Sequence, residues 1–243
     1  MESDIHQLAG WIQEAGSTVV LTGAGMSTES GVPDFRSREG FWKRVDPQQV
    51  ATVSALEEDY ETFHRFYRLR VRGVERVHPH IGHEVLTHWE HQGRIYGIAT
   101  QNVDRLHQRA GSRQVWELHG NLMQFHCYDC KEPAERSRFL EKDACLSCGG
   151  RLRPGIVLFG EWLPEAVWVE AMEAVQQAEL LLIIGTSLEV YPVNQMPTLC
   201  RGKSVLINAA ETQMDHQLDL MIRGKAGQVL KQVEQALNKE GEG

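Results

Sequence analysis

Four of the five cysteines form two tight pairs, Cys127 with Cys130 and Cys145 with Cys148, separated by fourteen residues. A C-x2-C turn can point two thiolates at one ion, and two such turns close a zinc tetrahedron with no position open for a substrate. The spacing therefore predicts one structural zinc, and Cys200 is left as a small core residue. A second chemistry lies in "VVLTGAGMSTESGVPDFRS", residues 19–37, where an apolar run empties into Gly23, Ala24 and Gly25. Such a strand-to-glycine turn lets backbone N–H groups approach phosphates. The pattern reads G-x-G-x-x-T, ending at Thr28, and no second strand about 20 residues on ends in an acid to hold a ribose, so the loop alone fits a structural turn nearly as well.

Support for a nucleotide site comes from the residues at the end of each further strand-like run. Residues 94–100 lead to Gln101, Asn102 and Asp104; residues 114–118 lead to His119-Gly120; 179–184 lead to Gly185, Thr186 and Ser187; and 204–207 lead to Asn208. Ligands of open α/β sheets bind beyond the carboxyl ends of the strands. Small and polar residues are common in turns, which accounts for one or two of these ends but poorly for all of them. His119 is the one group among them that titrates near neutral pH and is the candidate base. The histidines of "HPHIGHEVLTHWEH" (His78, His80, His83, His88 and His91) have no cysteine or acid to complete a metal cage, and most of them are expected to be solvated or helix-capping.

The elements that must position these groups can be read from periodicity. Ile5, Leu8, Ala9 and Ile12 have the spacing of one helix face over residues 3–15, and residues 80–91, 164–178 and 226–238 read as further helices. Continuously apolar strands alternating with helices predict a parallel sheet covered on both faces, a doubly wound α/β fold. Residues 41–79, helix-rich with no strand, and 127–150, punctuated by cysteines, interrupt that rhythm. They are expected to form a small domain, the rest (1–40, 80–126 and 151–243) forming the nucleotide-binding one.

The chain has 243 residues, a formal net charge of −8, 42% hydrophobic and 24% charged residues, an ordinary globular balance. An acidic chain with scattered basic residues is not expected to bind nucleic acid directly. Its start has no basic leader before an apolar core, and no apolar run is long enough to span a bilayer. Paired cysteines of metal-binding spacing then point to the cytoplasm.

Taken in order, "GAGMSTESGVPDFR", "TQNVDRLH", "ELHGN", the double C-x2-C, "IVLFGE", "GTSLEVYP" and the asparagine after "VLI" resemble the sirtuins, the NAD-dependent protein-lysine deacylases, over residues 4 to 235. The resemblance implies NAD as a consumed co-substrate rather than a hydride carrier, in a Rossmann-like variant that lacks the ribose-binding acid. It implies Gly23, Ala24, Gly25 and Thr28 near the pyrophosphate and Asp34, Phe35 and Arg36 in the loop over the nicotinamide. Gln101, Asn102 and Asp104 would hold the nicotinamide and its ribose, and Gly185, Thr186, Ser187, Asn208 and Ala226 the phosphate and adenosine side. Val157 and Phe159 would flank the acyl-lysine channel, with "FGE" pairing to the substrate backbone as an added strand. The implied chemistry is attack of the acyl oxygen on the ribose carbon as nicotinamide leaves, giving an alkylimidate. His119 then acts as general base, and lysine and 2′-O-acyl-ADP-ribose are released; Asn102 and Asp104 complete the catalytic set.

Within that family, Ala51 with Tyr67 and Arg70, three apart on one helix face, resembles the subgroup that removes succinyl, malonyl and glutaryl groups. Val53 stands where that subgroup has proline, and Arg65, Arg68 and Arg72 allow Arg70 to be one arginine of a solvated face. A plain deacetylase and a mono-ADP-ribosyltransferase are the enzymatic alternatives; an NAD-sensing zinc-ribbon adaptor is the non-enzymatic one. The expected partners are acylated proteins and the expected state a monomer.

Overall fold

The computed structural model describes residues 2–35, 40, 43 and 45–240. In chain order the elements are α1 (Glu2–Glu14), β1 (Thr18–Thr22), α2 (Pro47–Val50), α3 (Val53–Glu58), α4 (Tyr60–Arg76), α5 (Ile81–His91), β2 (Gly97–Thr100), α6 (Leu106–Ala110) and β3 (Val115–Glu117). They continue with β4 (Gly120–Cys127), α7 (Arg136–Leu140), β5 (Leu152–Ile156), α8 (Glu165–Gln177), β6 (Leu180–Ile184), α9 (Met196–Leu199), β7 (Lys203–Asn208), β8 (Leu220–Arg223) and α10 (Ala226–Glu240). A 3₁₀ turn, Ala24–Ser30, comes directly after β1.

Six strands form one sheet in the order β3-β2-β1-β6-β7-β8, every neighbouring pair parallel. β1 and β6 are buried at every residue because helices cover both faces. On one face α1, α5 and α10 pack Leu8, Leu86, Trp89 and Leu230 against the sheet; on the other α8 and α9 bring Ala171, Val175 and Met196. The predicted doubly wound α/β class is thus the observed one. The strand order reverses between β1 and β6, the switch point at which such sheets open a crevice.

A second, antiparallel pair, β4 with β5, lies outside this sheet. Its core joins Phe63, Tyr67 and Val71 of α4 to Phe125, Phe139 and Leu152. Polar ties reinforce it: the Tyr60 hydroxyl donates to Leu152 O at 2.7 Å, and Arg151 Nη1 to the carbonyls of Leu56 and Glu57 at 2.8 and 2.7 Å. The helical segment and the cysteine segment therefore pack on one another, and the strands flanking the cysteines, residues 120–127 and 152–156, belong to the same packing unit.

Candidate active site and metal centre

β1 ends at Thr22 and β6 at Ile184, and the loops beyond them are locked together. Gly23 N–H donates to Ile184 O at 3.0 Å and Gly25 N–H to Gly185 O at 2.7 Å. This contact needs glycine on both sides: a Cβ on Gly25 would sit 2.8 Å from Gly185 Cα, and one on Gly185, whose φ is +63°, would sit 2.2 Å from Met26 N. The Gly25→Ala variant is expected to weaken NAD binding by about 5- to 150-fold through forced overpacking, read by titration calorimetry. Gly10→Ala, with nothing within 4 Å of the added carbon, is expected to bind NAD like the parent.

Above this switch point opens a cleft of about 1070 Å³, at the upper end of small-molecule pockets of about 300–1,000 Å³. The residues expected from the sequence converge on it from four directions. Gly23, Ala24, Gly25 and Thr28 line it from the 3₁₀ turn, with Asp34 and Phe35 beyond; Arg36 lies outside the described residues. Gln101, Asn102 and His119 line it from the ends of β2 and β3; Gly185, Thr186, Ser187, Asn208 and Ala226 from the ends of β6, β7 and the start of α10. Ala51, Tyr67, Arg70, Val157 and Phe159 line it from the smaller packing unit.

Asp104 is not brought to the wall. It is buried behind it, accepting from Ser27 Oγ at 2.7 Å and Leu106 N at 2.9 Å. Burial pushes its pKa up, these hydrogen bonds and the nearby Arg70 and Arg109 pull it down, and the net shift is upward. Asn102 is tied to the same centre, its Nδ2 donating to Gly23 O at 3.0 Å and Ser27 Oγ at 3.1 Å. Ser27, which no sequence motif singles out, joins the loop to both.

His119 has a defined tautomer. Its Nδ1 lies 3.2 Å from Gln101 O; a carbonyl only accepts, so Nδ1 carries the proton and Nε2 keeps a bare lone pair. Burial lowers its pKa below the ordinary value, more than the Gln101 hydrogen bond raises it. The ring is therefore an unprotonated base at neutral pH.

This side of the cleft is fixed by a buried ion pair that the sequence does not announce. Arg153, 2% exposed, holds Glu161 through Nη1 and Nη2 at 2.5 and 2.9 Å, and Glu161 accepts from Leu158 N at 2.8 Å. Phe159 N–H donates to Ala51 O at 2.8 Å and Phe159 O accepts from Val53 N at 3.3 Å, which sets Ala51 beside the cleft. Tyr67 is buried, which pushes its phenol up to about 12 and keeps it a hydrogen-bond donor. The Arg70 guanidinium lies 5.4 Å from the Phe35 ring and 6.0 Å from the Tyr67 ring. Exposed aromatics rim the opening, notably Trp162 and Tyr191, 96% and 73% exposed.

The four paired cysteines meet in one cluster, all Sγ atoms within 4.8 Å of one another. Cys127 and Cys148 Sγ are 3.5 Å apart, Cys130 and Cys145 3.6 Å; an ideal tetrahedron with Zn–S of about 2.3 Å needs about 3.8 Å. Each pair is closed by a matching turn, Lys131 N–H to Cys127 O and Gly149 N–H to Cys145 O, with φ of +64° and +74° at the turning residues. Backbone N–H groups of Cys148 and Ser147 hold the Cys145 thiol below its ordinary range. Free thiols at these distances, aimed at one point, fit a zinc ion, and none of them lines the cleft.

A parallel sheet of this order, with glycines crossing at its switch point and a four-thiol cluster on an inserted unit, defines a Rossmann-like nucleotide-binding protein with four cysteines placed to hold one zinc ion. The chain belongs to the Sir2 family, whose model matches residues 23–192. It is 47% identical to "NAD-dependent protein deacetylase 1" of Geobacillus kaustophilus over 95% of this chain and 97% of that one. To "NAD-dependent protein deacylase 2" of Archaeoglobus fulgidus it is 36% identical, with 96% of each covered. A solved Sir2 homolog–NAD complex superposes with a TM-score of 0.90 at 37% identity, over 96% of this chain and 94% of that one.

Proposed function

We propose that the chain is an NAD-dependent protein-lysine deacylase in which His119 is the general base, and that its channel accepts acyl groups ending in a carboxylate as well as acetyl. The observation that carries the reading is the meeting of His119, the glycine loop and the Ala51–Tyr67–Arg70 wall in one cleft, with the His119 proton held on Nδ1. NAD, when bound, supplies an electrophilic ribose carbon with nicotinamide as leaving group. The residues do the rest. Gly23 and Gly25 allow close backbone approach to phosphates, and Phe35 closes water out. Gln101 and Asn102 offer their side-chain carbonyl oxygens to the N–H groups of a carboxamide, since Asn102 Nδ2 is held by Gly23 O and Ser27 Oγ and Gln101 Nε2 by Thr186 Oγ1. His119 takes a ribose hydroxyl proton on Nε2, and the Gln101 carbonyl steadies the charge it gains through Nδ1–H.

Asp104 acts through Ser27 and the loop rather than by touching the co-substrate. A substrate strand laid along the Phe159 segment would use its other edge, since Phe159 already bonds Ala51 and Val53. The β4–β5 unit with α2, α3, α4 and α7 is read as the small domain and the parallel sheet with its helices as the large one. Among the described residues no helix is long and apolar enough to cross a membrane; the clustered free thiols support a reducing compartment, the cytoplasm.

For acyl preference, Ala51 leaves room, Tyr67 remains a neutral donor, and Arg70 brings a guanidinium to the same wall. A charged hydrogen bond contributes about 1.5–3 kcal/mol. Arg70→Met is therefore expected to lower kcat/KM for a succinyl-lysine peptide by about 10- to 150-fold while changing that for the acetyl form of the same peptide little. Equal losses on both peptides, or no succinyl activity in the parent, would return Tyr67 and Arg70 to packing and leave a plain deacetylase.

A further inference from the structure

Behind the cleft lie three imidazoles that no step of the proposed reaction uses, and their hydrogen bonds fix their protons. His80 caps α5; its Nδ1 accepts from Gly82 N at 3.0 Å, so its proton is on Nε2, which donates to Met26 O at 2.6 Å. His80 N–H in turn donates to His83 Nδ1 at 3.3 Å, which leaves the proton of neutral His83 on Nε2. On the far side Thr22 Oγ1 gives its hydrogen to Thr100 Oγ1 at 2.8 Å. It can then only accept from His107 Nε2–H at 3.1 Å, so His107 Nδ1 is a bare acceptor.

Two atoms are left over. His83 Nε2 and His107 Nδ1 have no hydrogen-bond partner among the described residues, although both side chains are buried, at 0% and 1% exposure. Their rings lie 4.9 Å apart between centroids, tilted by 58°. One leftover is a donor and the other an acceptor, and an orphaned buried polar group is costly. Burial is the main reason that both rings stay neutral, with pKa values pushed down to about 2 for His83 and about 3 for His107.

We propose that His83 Nε2–H and His107 Nδ1 satisfy each other through one trapped water, closing a hydrogen-bonded relay from Met26 in the glycine loop to the backbone N–H of Asn102, and that the three histidines are positioning residues for the NAD cleft. The chain runs from Met26 O to the His80 ring, from the His80 backbone N–H to His83, then through the water, His107, Thr22 and Thr100, and ends where Asn102 N donates to Thr100 Oγ1 at 3.0 Å. A buried water with polar partners on both sides is a regular part of protein interiors. The His80 ring also backs the start of α10: a Cβ on Gly227 would sit 2.7 Å from His80 Nδ1, and Gly227 N donates to Glu29 Oε2 at 2.6 Å. The relay thus ties together the three parts of the fold that present Gly25, Asn102 and Ala226. Its role in positioning rests on the proposed function; the proton placement does not.

The first test is long-range ¹H–¹⁵N correlation on the full chain labelled in its histidines at pH 7, without NAD. His83 and His107 are both expected as neutral Nε2–H tautomers. An Nδ1–H tautomer at either position would overturn the relay, whatever the chain catalyses. The second test is steady-state kinetics of His83→Phe, His107→Gln and the double variant, at a temperature where melting shows each to be folded. His107→Gln keeps a donor for Thr22 but loses the acceptor for His83. Each single variant is expected to raise KM for NAD about 3- to 10-fold with KM for the acyl-peptide unchanged, and the double variant no further, since the relay is cut once. An unchanged KM for NAD in folded variants, or fully additive effects, would make the histidines merely structural. A parent with no deacylase activity would count against the proposed function and leave the tautomer test standing.

Discussion

Replacing His119 by alanine is expected to lower kcat/KM for deacylation by about 10²- to 10⁴-fold, the usual worth of a positioned general base, while leaving the fold intact. The side chain is held by a hydrogen bond to Gln101 O and is not part of any of the three buried apolar clusters. Its removal should therefore cost only about 0.5–1.5 kcal/mol of stability. The pH profile gives a second handle on the same residue. The working form is the neutral ring, and burial lowers its folded pKa below 6.5; the midpoint of protonation, and with it of the loss of activity, therefore falls below 6.5. The acid limb of kcat/KM is expected below pH 6.5 and should be missing from whatever activity His119→Ala retains. An acid limb above 6.5 would mean that another group titrates.

Removing the metal should have the other large effect. Bound zinc in small thiolate sites contributes about 10–16 kcal/mol to folding, as much as the whole stability of a typical domain, about 5–15 kcal/mol. Stripping it, or Cys145→Ser, is expected to unfold the β4–β5 unit. Because Phe125, Phe139 and Leu152 share a core with Tyr67, the acyl-peptide wall would be lost with it. The check is one equivalent of zinc per chain by a colorimetric chelator, then circular dichroism and activity as the metal leaves. Cys200→Ser should change neither, since Cys200 lies apart from the cluster. A chain that stays folded and active without metal would contradict the structural role.

Local pattern carries much of this architecture. The helix read from Ile5, Leu8, Ala9 and Ile12 buries those four residues, and the run "LLLII" is a central strand because nothing else buries five consecutive apolar side chains in so short an element. The β4–β5 pair is illegible for the opposite reason: β4 is broken by Gly120, Asn121, Gln124 and His126 and bulges between Gly120 and Phe125. β8 hides as well, with one fully buried residue in its four. At the site, residues just past strands can be read because the strand ends fix their place, His119 and Gln101 above all. Ser27 and Glu161 lie inside "GAGMSTESGVPDFR" and "IVLFGE", but nothing local marks the bonds to Asp104 and Arg153, since those depend on which loops tertiary folding brings together. His80 does cap a helix, as its segment predicts, whereas His83 beside it is fully buried; helical spacing alone does not tell a capping position from a core one.

The decisive experiment incubates the zinc-loaded chain with one acetyl-lysine peptide and NAD and resolves the products by mass spectrometry. Deacylation of the Sir2 type predicts nicotinamide, deacetylated peptide and O-acetyl-ADP-ribose in equal amounts, none of them formed without NAD. Nicotinamide release with ADP-ribose attached to a peptide that keeps its acetyl group, or bound NAD that is never consumed, would contradict it.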